Sequence, residues 1–71
     1  MEILAERLLK LRKGRKLSRK EVAQAVSIAE RTYQRYENAE REPEATVLVA
    51  LADYFDVTTD YLLGRTDEEK R

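Results

Sequence analysis

The chain contains no cysteine and no histidine. Together those absences exclude disulfides, structural zinc sites, thiol nucleophiles and imidazole general bases. Glycine occurs twice and proline once, so little interrupts helix, and no segment alternates apolar and polar residues over a strand's length. Long apolar runs are missing too. The longest, Val47 to Ala52, has six residues, far short of a membrane span. The opening Met1-Glu2-Ile3 lacks the basic-then-apolar order of a secretory signal, so a cytoplasmic protein is expected. A length of 71 residues sets a ceiling of one domain. It also makes an enclosed pocket hard to build, so no catalytic, cofactor, metal or small-molecule site is expected.

What the chain does have is charge. Charged residues make up 39% and hydrophobic ones 42%, a balance that fits a small soluble domain. The formal net charge is zero, but the signs are segregated. Residues 1–41 carry 11 Lys/Arg against 6 Asp/Glu, whereas residues 42–71 carry 3 against 8. Between Arg7 and Lys20 stand eight basic residues and no acid. A zero total therefore hides a molecule with a basic end.

Spacing predicts five helices. Leu4, Leu8 and Leu11 form a one-face stripe over about 2–13, closed by Gly14. Ser18-Arg19-Lys20-Glu21 is a capping box that opens a short second helix, with Val22, Ala25 and Val26 toward the core. After a break near Ser27-Ile28 a third helix covers about 29–37. Pro43 marks the start of a fourth, about 44–55, whose core stripe is Leu48, Leu51, Ala52 and Phe55. Val47, Val49 and Ala50 make that helix apolar nearly all round, which implies burial on several sides or by a partner. Thr58 can cap a fifth helix over about 59–63, and Gly64 stops it. The domain is thus expected to cover 1–64. The polar tail 65–71 has no apolar residue and is expected to be mobile.

At 100° per residue, the third helix puts Ala29, Tyr33 and Tyr36 on one side. Glu30, Arg31, Gln34, Arg35 and Asn38 form a polar stripe on the other. Arg31 and Arg35 are like charges at i, i+4, a small cost that a shared anionic partner removes. Arg12 follows Leu8 by four residues and so shares the core face of the first helix. Glu37, near a helix C-terminus, needs a cation. An Arg12–Glu37 ion pair is therefore expected in the interior. Val47, Ala50 and Tyr54 make a second apolar stripe on the fourth helix, extended by Tyr61. They are the candidate dimer contact.

Two short helices joined by a tight turn, the second with long polar side chains outward, make a helix-turn-helix pattern. The segment Leu17-Ser18-Arg19-Lys20-Glu21-Val22-Ala23-Gln24-Ala25-Val26-Ser27-Ile28 resembles the second helix and turn of the phage-repressor/Cro-type, or XRE, family. Arg35-Tyr36-Glu37-Asn38-Ala39-Glu40-Arg41-Glu42-Pro43 resembles the end of that family's recognition helix and the loop after it. Leu51-Ala52-Asp53-Tyr54-Phe55-Asp56-Val57 and Asp60-Tyr61-Leu62-Leu63-Gly64 are similar to its last two helices. The resemblance covers about residues 4–64. It implies an all-α, five-helix bundle of the lambda-repressor-like type, with helices 2 and 3 as the helix-turn-helix. The function implied is a repressor-type transcriptional regulator, a homodimer on double-stranded, palindromic operator DNA. By position, Glu30, Arg31, Thr32 and Arg35 match base-facing sites, joined by Gln34 from the polar stripe. Arg19, where glutamine is usual, Asn38 and Arg41 match phosphate-facing ones, and Arg12 and Glu37 match a buried ion pair.

Three departures from the family pattern bear on the site. Serine stands at Ser27, where the turn usually has glycine. Ala39-Glu40 replaces the common Gly-Lys and weakens the loop's hold on phosphate. Alanine stands at Ala29, where a capping serine is usual, and Ser27-Ile28-Ala29-Glu30 offers a rival capping box. Glu30 thus has two readings, as a helix capper or as an acceptor for cytosine N4. The function also has an alternative, a protein-interaction module of the same fold, antitoxin- or coactivator-like.

Overall fold

With so few helix breakers, helix is the ground state over most of this chain. The computed structural model, which describes residues 1–70, has five: α1 (Glu2–Gly14), α2 (Arg19–Ala25), α3 (Glu30–Glu37), α4 (Ala45–Phe55) and α5 (Thr59–Leu62). There is no strand among the described residues. Helix α3 packs on α1 and α2, and α5 on α1 and α4. Leu4, Ala5, Leu8, Leu11 and Arg12 bury one face of α1. That face meets Val22, Tyr33, Leu51, Phe55, Val57 and Leu62, all essentially inaccessible. No helix among the described residues is long and apolar enough to cross a membrane.

Local signals account for two helix starts. Ser18 accepts from the Glu21 amide at 3.0 Å while the Glu21 carboxylate accepts from the Ser18 amide at 2.9 Å, a reciprocal capping box. Those bonds hold the Glu21 carboxyl below its ordinary range. Thr58 Oγ1 accepts from the Tyr61 amide at 2.9 Å and starts α5.

The helix ends depart from expectation. Gly14 does not turn the chain; it is the last helical residue of α1, and the left-handed residue is Lys16 (φ 57°). Ser27 (φ 60°), Ala39 (φ 59°), Asp56 (φ 56°) and Gly64 (φ 81°) do the same work after the other helices. At each corner the following amide reaches back five residues to a helix carbonyl: Leu17 to Arg12, Ile28 to Ala23, Glu40 to Arg35, Val57 to Ala52 and Arg65 to Asp60, at 2.8–3.1 Å. All five helices therefore close with the same double-bonded turn, which satisfies their last carbonyls. Four of the five use a residue with a side chain.

Other expectations shift by a residue or a face. Ala25 is exposed and Ala23 is buried instead, since Ala23 shares the core face of α2 with Val22 and Val26. Ala29 is exposed as the N-cap of α3. In α4, Val47 and Leu48 pack against the core while Val49 remains 49% exposed.

Part of the polar segment after α5 makes specific contacts with α1 and the start of α5. Arg7 donates to the carbonyls of Tyr61 and Thr66, the latter at 2.6 Å, and pairs with Asp67 at 2.8 Å. Its guanidinium lies 4.2 Å over the Tyr61 ring. The Thr58 amide donates to the Glu69 carbonyl at 3.1 Å. One arginine thereby ties α1 to α5 and to Thr66 and Asp67, where no apolar anchor was available. Arg71, the last residue of that expected tail, lies outside the described residues.

Candidate nucleic-acid interface

The geometry of α3 follows from how its two sides are held. On one side Tyr33 and Tyr36 are buried edge-to-face, with ring centroids 6.4 Å apart. Glu37 is buried beside them. On the other side Glu30, Arg31, Gln34 and Arg35 are exposed and Thr32 is half-buried. The rigid inner face fixes where the outer face points. Arg31, Gln34, Arg35, Asn38 and Glu40 line one shallow depression of about 170 Å³. Arg31, Arg35 and Arg41 form no ion pair among the described residues. Their charge is therefore available to a partner.

Glu30 is not a capper. Ala29 is the N-cap of α3 and supplies no side-chain hydrogen bond. Ser27 cannot serve because it already occupies the left-handed position that ends α2; a capping residue needs extended backbone. The rival capping box is therefore absent, and Glu30 stands exposed in the first turn.

Beneath the outer face lies a three-residue charge cluster. Arg12 Nε and Nη2 donate to the two carboxylate oxygens of Glu37 at 2.6 and 3.0 Å, a bidentate pair. Arg12 Nη1 donates to the Leu17 carbonyl at 2.9 Å, at the α1–α2 corner. Arg19 Nε reaches Glu37 Oε1 from the solvent side at 3.2 Å. The Glu37 side chain is 2% exposed and that of Arg19 is 41% exposed. Burial pushes the Glu37 carboxyl up, but the Arg12 hydrogen bonds and the neighbouring charges outweigh it and hold it below the ordinary carboxylate range. The bond to Glu37 raises the already basic Arg12. Burial, followed by the proximity of Glu37, pushes the Tyr33 phenol well above its usual range.

Two features of this region were not visible in the sequence. The contact from Arg19 to Glu37 spans 18 positions, and nothing local announces it. The basic stretch Arg7 to Lys20 is also less free than its composition suggests. Arg7 holds the C-terminal segment, Arg12 is internal, and Arg15 lies 5.3 Å over the Phe55 ring.

The candidate dimer residues divide. Val47 and Ala50 are half-buried and Tyr54 is 37% exposed, packed edge-on to Phe55 with centroids 5.1 Å apart. Tyr61 is 3% exposed, lying beneath Arg7. It belongs to the core of one chain and drops out of the stripe.

Known proteins bear on this arrangement. The sequence pattern of the Helix-turn-helix family matches residues 8–62. The HTH-type transcriptional regulator AnsR of Bacillus subtilis (strain 168) is 42% identical over 65 residues, 92% of this chain and 56% of that protein. From the same organism, YobD, also named an HTH-type transcriptional regulator, is 41% identical over 63 residues, 89% of this chain and 56% of that protein. The chain thus spans little more than half the length of these relatives. The solution structure of the DNA-binding domain of the P22 C2 repressor superposes with a TM-score of 0.80 at 28% identity, covering 84% of this chain and 79% of that one.

Proposed function

The chain belongs to the XRE-type helix-turn-helix family, and from that premise we propose that it is a DNA-binding transcriptional regulator of the repressor type. The observation that carries this reading is the outer face of α3. It offers Arg31, Gln34 and Arg35 in one depression, all exposed, with neither arginine in an ion pair among the described residues. In the major groove, arginine takes guanine O6 and N7 bidentately, glutamine takes adenine, and a carboxylate accepts from cytosine. Glu30, Arg31, Thr32, Gln34 and Arg35 are the proposed base-facing set. Arg19, Asn38 and Arg41 flank them as phosphate ligands. Each phosphate neutralised releases counterions, which supplies affinity without sequence preference.

The proposed partner is double-stranded DNA with a palindromic site, bound by two copies of the chain in the cytoplasm. Closed two-fold dimers are the commonest assembly and match a palindrome. With Tyr61 internal, the proposed contact is Val47, Ala50 and Tyr54. Selection from a random duplex pool tests the whole reading. Recovery of a palindromic consensus is the expected result. A pool that emerges without enrichment, from protein shown to be folded, refutes it.

A further inference from the structure

We propose that the buried Glu37 is a positioning residue for DNA binding, acting through Arg19 in addition to its structural pair with Arg12. The inference rests on the DNA-binding reading above and assigns a role that the ion pair alone does not require. Arg12 already satisfies both Glu37 oxygens from the core side. The carboxylate nevertheless takes a third donor, Arg19 Nε, on the oxygen that Arg12 Nη2 also uses. That bond uses one of the five N–H groups of the guanidinium. The Nη groups of Arg19 form no hydrogen bond among the described residues, and the side chain is 41% exposed. The cluster of two arginines and one glutamate carries one surplus positive charge. Arg19 is its only exposed arginine, so the surplus is presented there.

The consequence is mechanical. Glu37 ends α3, the proposed reading helix, and Arg19 is the first residue of α2. A single carboxylate thereby sets the distance between a phosphate ligand and the base-facing side chains. A free arginine loses rotamer entropy when it grips a phosphate. One held at Nε has lost part of it already and meets the phosphate with its Nη edge forward. Lysine at this position keeps the charge and lacks the planar fork needed to hold the carboxylate and the phosphate together.

The test is a double-mutant cycle on DNA affinity, measured over a range of salt concentrations with the selected site and with a mixed-sequence duplex. Circular dichroism establishes the folded fraction of each protein. Arg19→Ala is expected to weaken both duplexes alike and to reduce the log–log salt slope by about 0.9, one phosphate contact. Arg19→Lys is expected to keep the slope and still lose affinity. Glu37→Gln is expected to weaken binding in the parent and to have no further effect in the Arg19→Ala background. Equal losses from Glu37→Gln in both backgrounds overturn the inference, as does Arg19→Lys binding as well as the parent. The lysine comparison leaves the buried pair intact, so it decides the matter even if Glu37→Gln does not fold. A folded parent that binds neither duplex overturns the DNA-binding reading and this inference with it. A parent that binds, with additive losses, overturns this inference alone.

Discussion

The Glu37 side chain, 2% exposed, accepts hydrogen bonds from both Arg12 and Arg19. Breaking a buried ion pair from one side strands the other charge, at a cost of about 3–5 kcal/mol. A domain of this size has a total stability of the same order, so Glu37→Ala is expected to be largely unfolded at room temperature by circular dichroism. A melting temperature within a degree or two of the parent contradicts this. The sign of the pH dependence follows from the carboxyl's direction of shift. Its folded value lies below its unfolded one. The stabilisation is therefore complete above the unfolded carboxylate range, about 4.3. It is lost as pH falls through the folded value. Urea midpoints should drop below that pH in the parent and fall less steeply in Glu37→Gln. On the outer face, Arg35→Ala is expected to cost about 1–3 kcal/mol on the preferred site and little on mixed sequence. Arg41→Ala should weaken all duplexes alike. Equal losses from Arg35→Ala on both duplexes would reassign it to phosphate. Glu30, with no cap to make, is expected to read a base. Selection with Glu30→Gln should alter the consensus at one position, and an unchanged consensus removes Glu30 from the site.

At the scale of elements, the corners are where the chain holds strain. Lys16, Ser27, Ala39 and Asp56 all sit in the left-handed region. That conformation costs an ordinary L-residue about 1–2 kcal/mol, and aspartate less because its side chain bonds locally. Ala39→Gly and Ser27→Gly are each expected to raise stability by up to about 1 kcal/mol in urea titration, since the left-handed penalty removed exceeds the freedom that glycine adds to the unfolded chain. Gly14 is the reverse case. It is helical, and a Cβ there meets nothing within 4 Å. Gly14→Ala should therefore stabilise by about 0.5–1 kcal/mol. Gly64 permits no such change. Its φ is 81°, and an added Cβ falls 2.9 Å from Ile3 Cγ1. Gly64→Ala should destabilise, and a neutral result at Gly64 or a loss at Ala39 would show that these corners relax.

At the scale of the molecule, charge of the two signs is segregated along the chain. Eleven of the fourteen basic residues lie within residues 1–41, which include the helix-turn-helix, and eight of the fourteen acidic ones lie after them. That arrangement orients the protein toward a polyanion without a net positive charge. The half-exposed residues of α4 lie outside the recognition helix. Ala50→Glu is expected to leave the fold intact and abolish cooperative binding to DNA with two half-sites. Retained cooperativity would place the dimer contact elsewhere. Tyr61 is unsuited to that test, because a change there disturbs the core beneath Arg7.

What the amino-acid order alone determined was whatever a turn or two of helix can encode. The leucine stripe of α1, the Ser18 and Thr58 caps, the burial of Tyr33 and Tyr36 and the exposed stripe of Arg31, Gln34 and Arg35 all depend on residues within about four positions of one another. The Arg12–Glu37 pair was legible because each partner occupies or borders a core face of its own helix, and its placement between them was implied by family resemblance. Tertiary packing decided the rest. Ser27 became a helix terminator, not a capper, because it is the left-handed residue of the turn that closes α2, and this took the capping role from Glu30. Tyr61 went to the core and Val49 stayed outside, although both read as apolar. Arg7 bonded to Thr66 and Asp67, 59 and 60 positions away, and Arg19 joined Glu37. Hydrophobic periodicity specifies a face, but a long cationic side chain takes whichever acceptors the folded chain brings within its reach. Which ones those are is set only when the helices have docked.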